Sequence, residues 1–97
     1  MIQHLVLVQL RDSTAESEAE SLAQAFRDMQ RHVGGVVEAR AGFDFSGRCR
    51  PYSLVAVLRL SDREALDRYL SDPRHLDLVR RLDALSEHRL VADFEAD

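Results

Sequence analysis

The sequence predicts an α+β domain in which a four-stranded antiparallel sheet carries its helices on one face. Three observations lead to this fold class. The chain has 97 residues, which suits a single domain spanning 1–97. Its apolar spacing switches between strand and helix periods in the order β-α-β-β-α-α-β, a split βαβ pattern. The first and third strands are apolar on both faces, and a second copy of the sheet would cover the free face. We therefore expect a homodimer with two sheets packed face to face.

The first strand and first helix are defined by their periods. Residues 2–10 (IQHLVLVQL) form a Leu- and Val-rich run that predicts a strand. Ser13 followed by Glu16 is a capping-box pattern that predicts the start of a helix. The doublet Gly34-Gly35 predicts its end. Between them, apolar residues form one stripe: Leu22, Ala25, Phe26, Met29 and Val33.

The next two strands differ in character. Residues 37–45 alternate apolar and polar side chains, which predicts a half-exposed or edge strand. Residues 46–51 form a polar turn. Residues 52–60 (YSLVAVLRL) are again apolar on both faces, which predicts a strand that is covered on both sides.

The second helical region is broken at a proline. Ser61 to Glu64 repeats the capping-box pattern, and a short helix with Tyr69 facing inward should follow. Asp72 is a good cap, and Pro73 fills the first position of a new helix, where its missing N–H costs nothing. In that last helix His75, Val79 and Leu82 share one face. Residues 90–95 predict the final strand.

Composition narrows the classes of partner. The formal charge is −4 with interspersed signs and no basic block, so no nucleic-acid partner is expected. The longest apolar run, Leu5 to Val8, is far shorter than the ~20 residues of a membrane span, so no membrane partner is expected either. The start of the chain lacks the pattern of a signal peptide. The single Cys49 excludes an internal disulfide, which favours a cytoplasmic location.

Three polar side chains lie on surfaces that should face inward: His4, Tyr69 and His75. They can meet only if the His4 face of the first strand looks toward the helices. Each also has a structural interpretation. His75 would then be a core histidine bonded to a backbone carbonyl, Tyr69 a packed aromatic residue, and His4 a buried side chain satisfied by one hydrogen bond. No spaced cysteine or acidic residue completes a metal set, so no metal is expected.

Three stretches together resemble a known family. They are Ile2 to Leu7 in the first strand, the helix break Tyr69-Leu70-Ser71-Asp72-Pro73-Arg74-His75, and the terminal run Leu90 to Phe94. Over essentially its whole length the chain is similar to the stress-responsive A/B-barrel domain (Dabb) family. The resemblance implies ferredoxin-like subunits that form a dimeric α+β barrel. Most members of that family have no established activity.

One branch of the family, the olivetolic acid cyclases, closes a linear polyketide by an aldol condensation without a cofactor. The resemblance implies that Tyr69 and His75 match its catalytic pair and that His4 matches a supporting histidine. Asp72 departs from the pattern, because that branch and many relatives have histidine before the proline. The match therefore indicates membership of the family more than the cyclase activity.

Two main hypotheses of function remain, and both operate without a cofactor. In the first, the chain is a homodimer with a pocket for an apolar or aromatic small molecule, serving binding, protection or assembly. In the second, it is a polyketide cyclase or lyase, with His75 as the base, Tyr69 as the donor to an oxyanion, and His4 as a positioning group. A third, a cofactor-independent monooxygenase or haem-degrading protein, rests on fold analogy alone.

Overall fold

The computed structural model describes residues 1–96 and has the predicted order of elements. The bounds are β1 Ile2–Leu10, α1 Glu16–His32, β2 Val36–Phe43, β3 Leu54–Leu60, α2 Arg63–Ser71, α3 Pro73–Leu85 and β4 Ser86–Glu95. The four strands form one antiparallel sheet in the order β2-β3-β1-β4. This is the ferredoxin-like arrangement, and the predicted fold class of the subunit is confirmed.

The hydrophobic core lies between the sheet and its helices. Side chains alternate in burial along β1 and β3, as expected for strands with one face on a core. The inward residues of the two strands are Ile2, His4, Val6, Val8, Leu54, Ala56, Leu58 and Leu60. Helix α1 packs Leu22, Phe26 and Met29 onto this layer. His4 therefore lies on the helix side of the sheet, which is the condition for contact with the helical candidates.

The opposite face of the sheet has no cover within the described chain. The strand register places Leu7 beside Val55 and Leu90 on this face, and Gln3 beside Phe94. Leu90 and Phe94 are 46% and 53% exposed. The two-sided apolar pattern of the sequence thus corresponds to one covered face and one apolar face in contact with solvent.

Two helix starts differ from the capping-box predictions. Helix α1 begins after Ala15, whose N–H donates to the Glu18 carboxylate at 3.1 Å. The expected cap moves because the chain turns at Arg11–Thr14, where the Thr14 hydroxyl donates to the Leu85 carbonyl at 3.1 Å. At α2 the cap is Asp62, which accepts from the Ala65 N–H at 2.8 Å.

The bounds of β2, β3 and β4 and the turn after α1 differ in detail from the predictions. β3 begins at Leu54, two residues after the expected start, and β4 begins at Ser86, directly after α3. β2 is an edge strand as predicted, although a bulge between Val36 and Glu38 interrupts its alternation. Before it, Gly35 has φ +89, and a Cβ there would lie 2.7 Å from the Ala65 Cβ. Only glycine fits both the backbone angle and this approach of α2.

No helix in residues 1–96 combines the length and the apolar content needed to cross a membrane.

Candidate functional site

His4 is fixed by a residue of the last strand. It is 3% exposed, and its cross-strand neighbour on β4 is Asp93. The His4 Nδ1 lies 2.5 Å from the Asp93 Oδ1. A carboxylate can only accept, so Nδ1 carries the proton, and in the neutral ring Nε2 keeps its lone pair. Asp93 thus sets the tautomer of a buried histidine.

Tyr69 occupies the centre of the site. It lies on α2 and is completely buried. Its ring is edge-on to the His4 ring at a centroid distance of 5.7 Å and lies 4.6 Å from the His75 ring. Its hydroxyl oxygen is buried and has no hydrogen-bond partner within residues 1–96. Burial, and secondarily the Asp72 carboxylate, raise the pKa of the phenol. Tyr69 therefore stays protonated and is a hydrogen-bond donor without an acceptor.

His75 is positioned by the break between α2 and α3. The Asp72 carboxylate accepts from the Arg74 N–H at 2.8 Å, and Pro73 opens α3, as the sequence predicts. The His75 Nδ1 then donates to the Leu70 carbonyl at 3.0 Å, which leaves Nε2 as the basic nitrogen of the neutral ring. Chiefly because of burial, the pKa of His75 is lowered. His4 and Arg89 add to this decrease, while the Leu70 hydrogen bond and Asp72 oppose it.

The structure thus brings all three predicted residues into one row of rings, His4–Tyr69–His75. It adds Asp93, which sequence reasoning missed. Alternation along the last strand could place Asp93 on one face, but only the β1–β4 register shows that it lies opposite His4.

The row of rings is buried at His4 and Tyr69 and partly exposed at His75. Five depressions measured on the surface, of about 190 to 480 Å³, are not lined by His4, Tyr69 or His75. One of them, of about 380 Å³, reaches the site through Asp93. Its lining comprises Ile2, Arg63, Leu66, Asp67, Asp93, Phe94 and Glu95.

Comparison with known proteins decides the family. The family model for the stress responsive A/B barrel domain matches residues 2–96. The chain belongs to the Dabb family. An uncharacterized protein of Streptomyces coelicolor is 32% identical to this Dabb domain over 77 residues, covering 77% of this chain and 79% of that protein.

Solved structures share the fold of this Dabb domain at low identity. A dimeric ferredoxin-like protein of unknown function from Jannaschia is 24% identical, with a TM-score of 0.84 and coverage of 98% of each chain. A hydroxynitrile lyase from Passiflora edulis is 11% identical, with a TM-score of 0.89 and coverage of 99% of this chain and 93% of the lyase. At these identities the similarity establishes the fold.

The side chains of the site define its possible chemistry. Among residues 1–96 no three His, Cys, Asp or Glu side chains lie close enough together to hold a metal ion. The row supplies a neutral imidazole with a free Nε2 at His75 and a protonated phenol at Tyr69. Such a pair can remove a proton from a bound molecule and donate a hydrogen bond to its oxygen.

The lowered pKa of His75 predicts how stability depends on pH. The pKa of His75 is below its ordinary value of 6.5 in the folded chain, so unfolding takes up a proton at pH values between the two. The free energy of unfolding should therefore fall as pH decreases through 6.5 toward the folded pKa. Urea unfolding of the protein and of His75→Gln between about pH 5 and 8 measures this contribution. The unfolding free energy of His75→Gln should decrease less than that of the wild type as pH falls. An identical pH dependence in both proteins would contradict the attribution of this decrease to His75.

Proposed function

We propose that this Dabb domain is the subunit of a homodimer that binds a small apolar or aromatic molecule carrying a carbonyl oxygen, at the His4–Tyr69–His75 row. One observation carries the proposal. The Tyr69 hydroxyl is buried and has no acceptor within residues 1–96, and the ring that carries it contacts the rings of His4 and His75. Leaving a buried donor unpaired costs about 1–3 kcal/mol. A ligand oxygen that accepts from this hydroxyl recovers that cost.

The surroundings of His75 provide the route to Tyr69. His75 is half-buried, and its ring contacts the Tyr69 ring at a tilted angle of 59°. Leu76, which follows His75 in the chain, and Leu70, whose carbonyl binds the His75 Nδ1, are among the large apolar residues exposed to solvent. Movement of the His75 side chain would open a path to the phenol between apolar walls, and these walls favour the body of an apolar or aromatic ligand.

A second candidate function is catalysis at the same row. The hydrogen bond to the Leu70 carbonyl fixes His75 Nε2 as the basic nitrogen, and the lowered pKa keeps it neutral near pH 7. Such a base next to a phenol donor suits cleavage or formation of a carbon–carbon bond beside a carbonyl, as in an aldol-type cyclase or a lyase, with no cofactor. The similarity in fold to a hydroxynitrile lyase is consistent with this class.

The homodimer is supported by the uncovered sheet face. The face that carries Leu7, Val55 and Leu90 is apolar and open to solvent. The similar Jannaschia protein is described as dimeric. Face-to-face packing of two sheets would bury this surface. Sedimentation should therefore give a mass near twice that of the chain.

The binding proposal can be tested with the two tyrosines. The chain contains two tyrosines, Tyr52 and Tyr69, and no tryptophan. A panel of aromatic ketones and aldehydes is titrated into protein with isotope-labelled tyrosine rings, and Tyr52→Phe assigns the two sets of signals. A ligand at the row shifts the Tyr69 signals and leaves those of Tyr52 in place. Saturable binding that moves only Tyr52, or no binding across the panel, would overturn the proposal.

A further inference from the structure

Side chains of α1 bind the outer edge of β2. Gln30 Oε1 accepts from the Ala39 N–H at 2.9 Å. Arg27 donates to the Ala41 carbonyl from both Nε, at 3.1 Å, and Nη2, at 3.0 Å. One helix therefore satisfies backbone groups at two alternate positions of the strand.

These two backbone groups are among those that a new strand would need. β2 is the last strand on its side of the sheet, and among residues 1–96 it has β3 as its one strand neighbour. Ala39 lies opposite Leu58 and Ala41 opposite Ala56. In an antiparallel pair, residues two apart direct both backbone groups to the same side. The groups bound by Arg27 and Gln30 consequently point away from β3, where a fifth strand would lie.

The Arg27 clamp is held in place by its own helix. Its Nη1 donates to the Glu20 carboxylate at 2.8 Å and to the Gln24 side-chain oxygen at 3.2 Å. The guanidinium is thus fixed between its helix and the strand, which makes it harder for an incoming strand to displace. Exposed ion pairs of this kind contribute little to stability by themselves. Their geometry matters here because it fixes the two donors on the Ala41 carbonyl.

The other edge of the sheet is different. β4 pairs only with β1, and within the part of the chain that the structure describes no loop or side-chain hydrogen bond reaches the backbone of residues 87–95 on its outer side. Val91 on one face and Phe94 on the other are each 53% exposed. Two outward backbone groups of the β2 edge are therefore already bonded, whereas within residues 1–96 the β4 edge has none bonded in this way.

We infer that Arg27 and Gln30 close the β2 edge to strand pairing with a second copy of this chain. A chain with two free edges can pair β4 of one copy with β2 of the next, and such head-to-tail contacts continue without limit. With β2 closed, a second copy can contact the sheet only at its open face or beside β4, and these contacts can close as a symmetric pair. The inference is independent of the His4–Tyr69–His75 row and uses the proposed homodimer only as the starting state.

The double variant R27A/Q30A tests this inference. We expect it to form assemblies of at least twice the wild-type mass, increasing with protein concentration, when measured by sedimentation velocity. Arg31→Ala is the matched control. It removes one positive charge from the same helix, and the wild-type Arg31 side chain binds Asp28 rather than β2. The control should keep the wild-type mass. A wild type that sediments as a monomer would overturn the homodimer and leave this comparison intact.

Amide exchange gives a second readout that does not require assembly. Gln30→Ala alone removes the acceptor of the Ala39 N–H, so exchange of that amide should accelerate at least tenfold while amides bonded between β2 and β3 keep their rates. A folded R27A/Q30A with the wild-type mass at every concentration would overturn the inference. So would larger assemblies in Arg31→Ala, or an unchanged Ala39 exchange rate in Gln30→Ala.

Discussion

Tyr69→Phe is expected to weaken ligand binding strongly while leaving the fold as stable as the wild type or more stable. The Tyr69 hydroxyl is buried without a partner in the described chain. Its removal therefore eliminates an unsatisfied donor and breaks no hydrogen bond. The gain in unfolding free energy should lie between zero and about 1–3 kcal/mol, the cost of an unsatisfied buried polar group. Binding of a carbonyl ligand should weaken by at least about tenfold, or 1.4 kcal/mol. If the row is catalytic, turnover should fall by about 10²–10³, as for other oxyanion donors.

Tyr52→Phe is the matched control for this substitution. The Tyr52 hydroxyl lies 2.7 Å from His88 Nδ1 in an exposed pair on the other side of the sheet. Its loss should leave binding unchanged and lower stability only slightly. Urea unfolding and ligand titration of both variants provide the comparison. A Tyr69→Phe protein that is clearly less stable and still binds the ligand would show that the hydroxyl has a structural role.

Removal of Asp93 should have the second largest effect. Asp93→Ala leaves the Nδ1–H of the buried His4 without its acceptor at 2.5 Å. Loss of a hydrogen bond to a charged group costs about 1.5–3 kcal/mol. We expect the lower half of this range, since the Asp93 side chain is 38% exposed and water can enter in its place. Urea unfolding measures the loss.

Asp93→Asn distinguishes the hydrogen bond from the volume of the side chain. Its amide oxygen can still accept from His4 Nδ1, so it should recover at least half of the stability lost in Asp93→Ala. Ligand affinity should follow the same order, because a freed His4 ring no longer holds its edge-on position against Tyr69. Equal losses in Asn and Ala, or none in either, would contradict a positioning role for Asp93.

Local patterns were sufficient to predict most of the elements and to place His4, Tyr69 and His75 on surfaces that should face inward. Alternation in β1 grouped His4 with Ile2 and Val6 but left open which face the helices cover. The Asp72-Pro73 break predicted the first turn that holds His75. The start of α1 could not be predicted in this way, because Thr14 bonds to Leu85, a residue 71 positions away. Asp93 and the Arg27–Gln30 closure of β2 were missed for the same reason, since both depend on contacts between elements distant in sequence.

The homodimer and the catalytic role of the row stay predictions. Alternation indicates that Leu5 and Leu7 need cover, but it contains no information about which molecule provides it. In the same way, Tyr69 is predicted to face inward by helix spacing, whereas its unpaired hydroxyl becomes visible only when every neighbour is placed. A single chain therefore defines the site and leaves the ligand to experiment.

The most direct test of the site is a crystal structure of the protein with the tightest carbonyl ligand from the screen. We expect a ligand oxygen within about 3 Å of the Tyr69 hydroxyl, with the His75 ring turned away from its present position beside Tyr69. A ligand seated instead in the depression beside Arg63 and Phe94, with the Tyr69 hydroxyl still unpaired, would contradict the central claim.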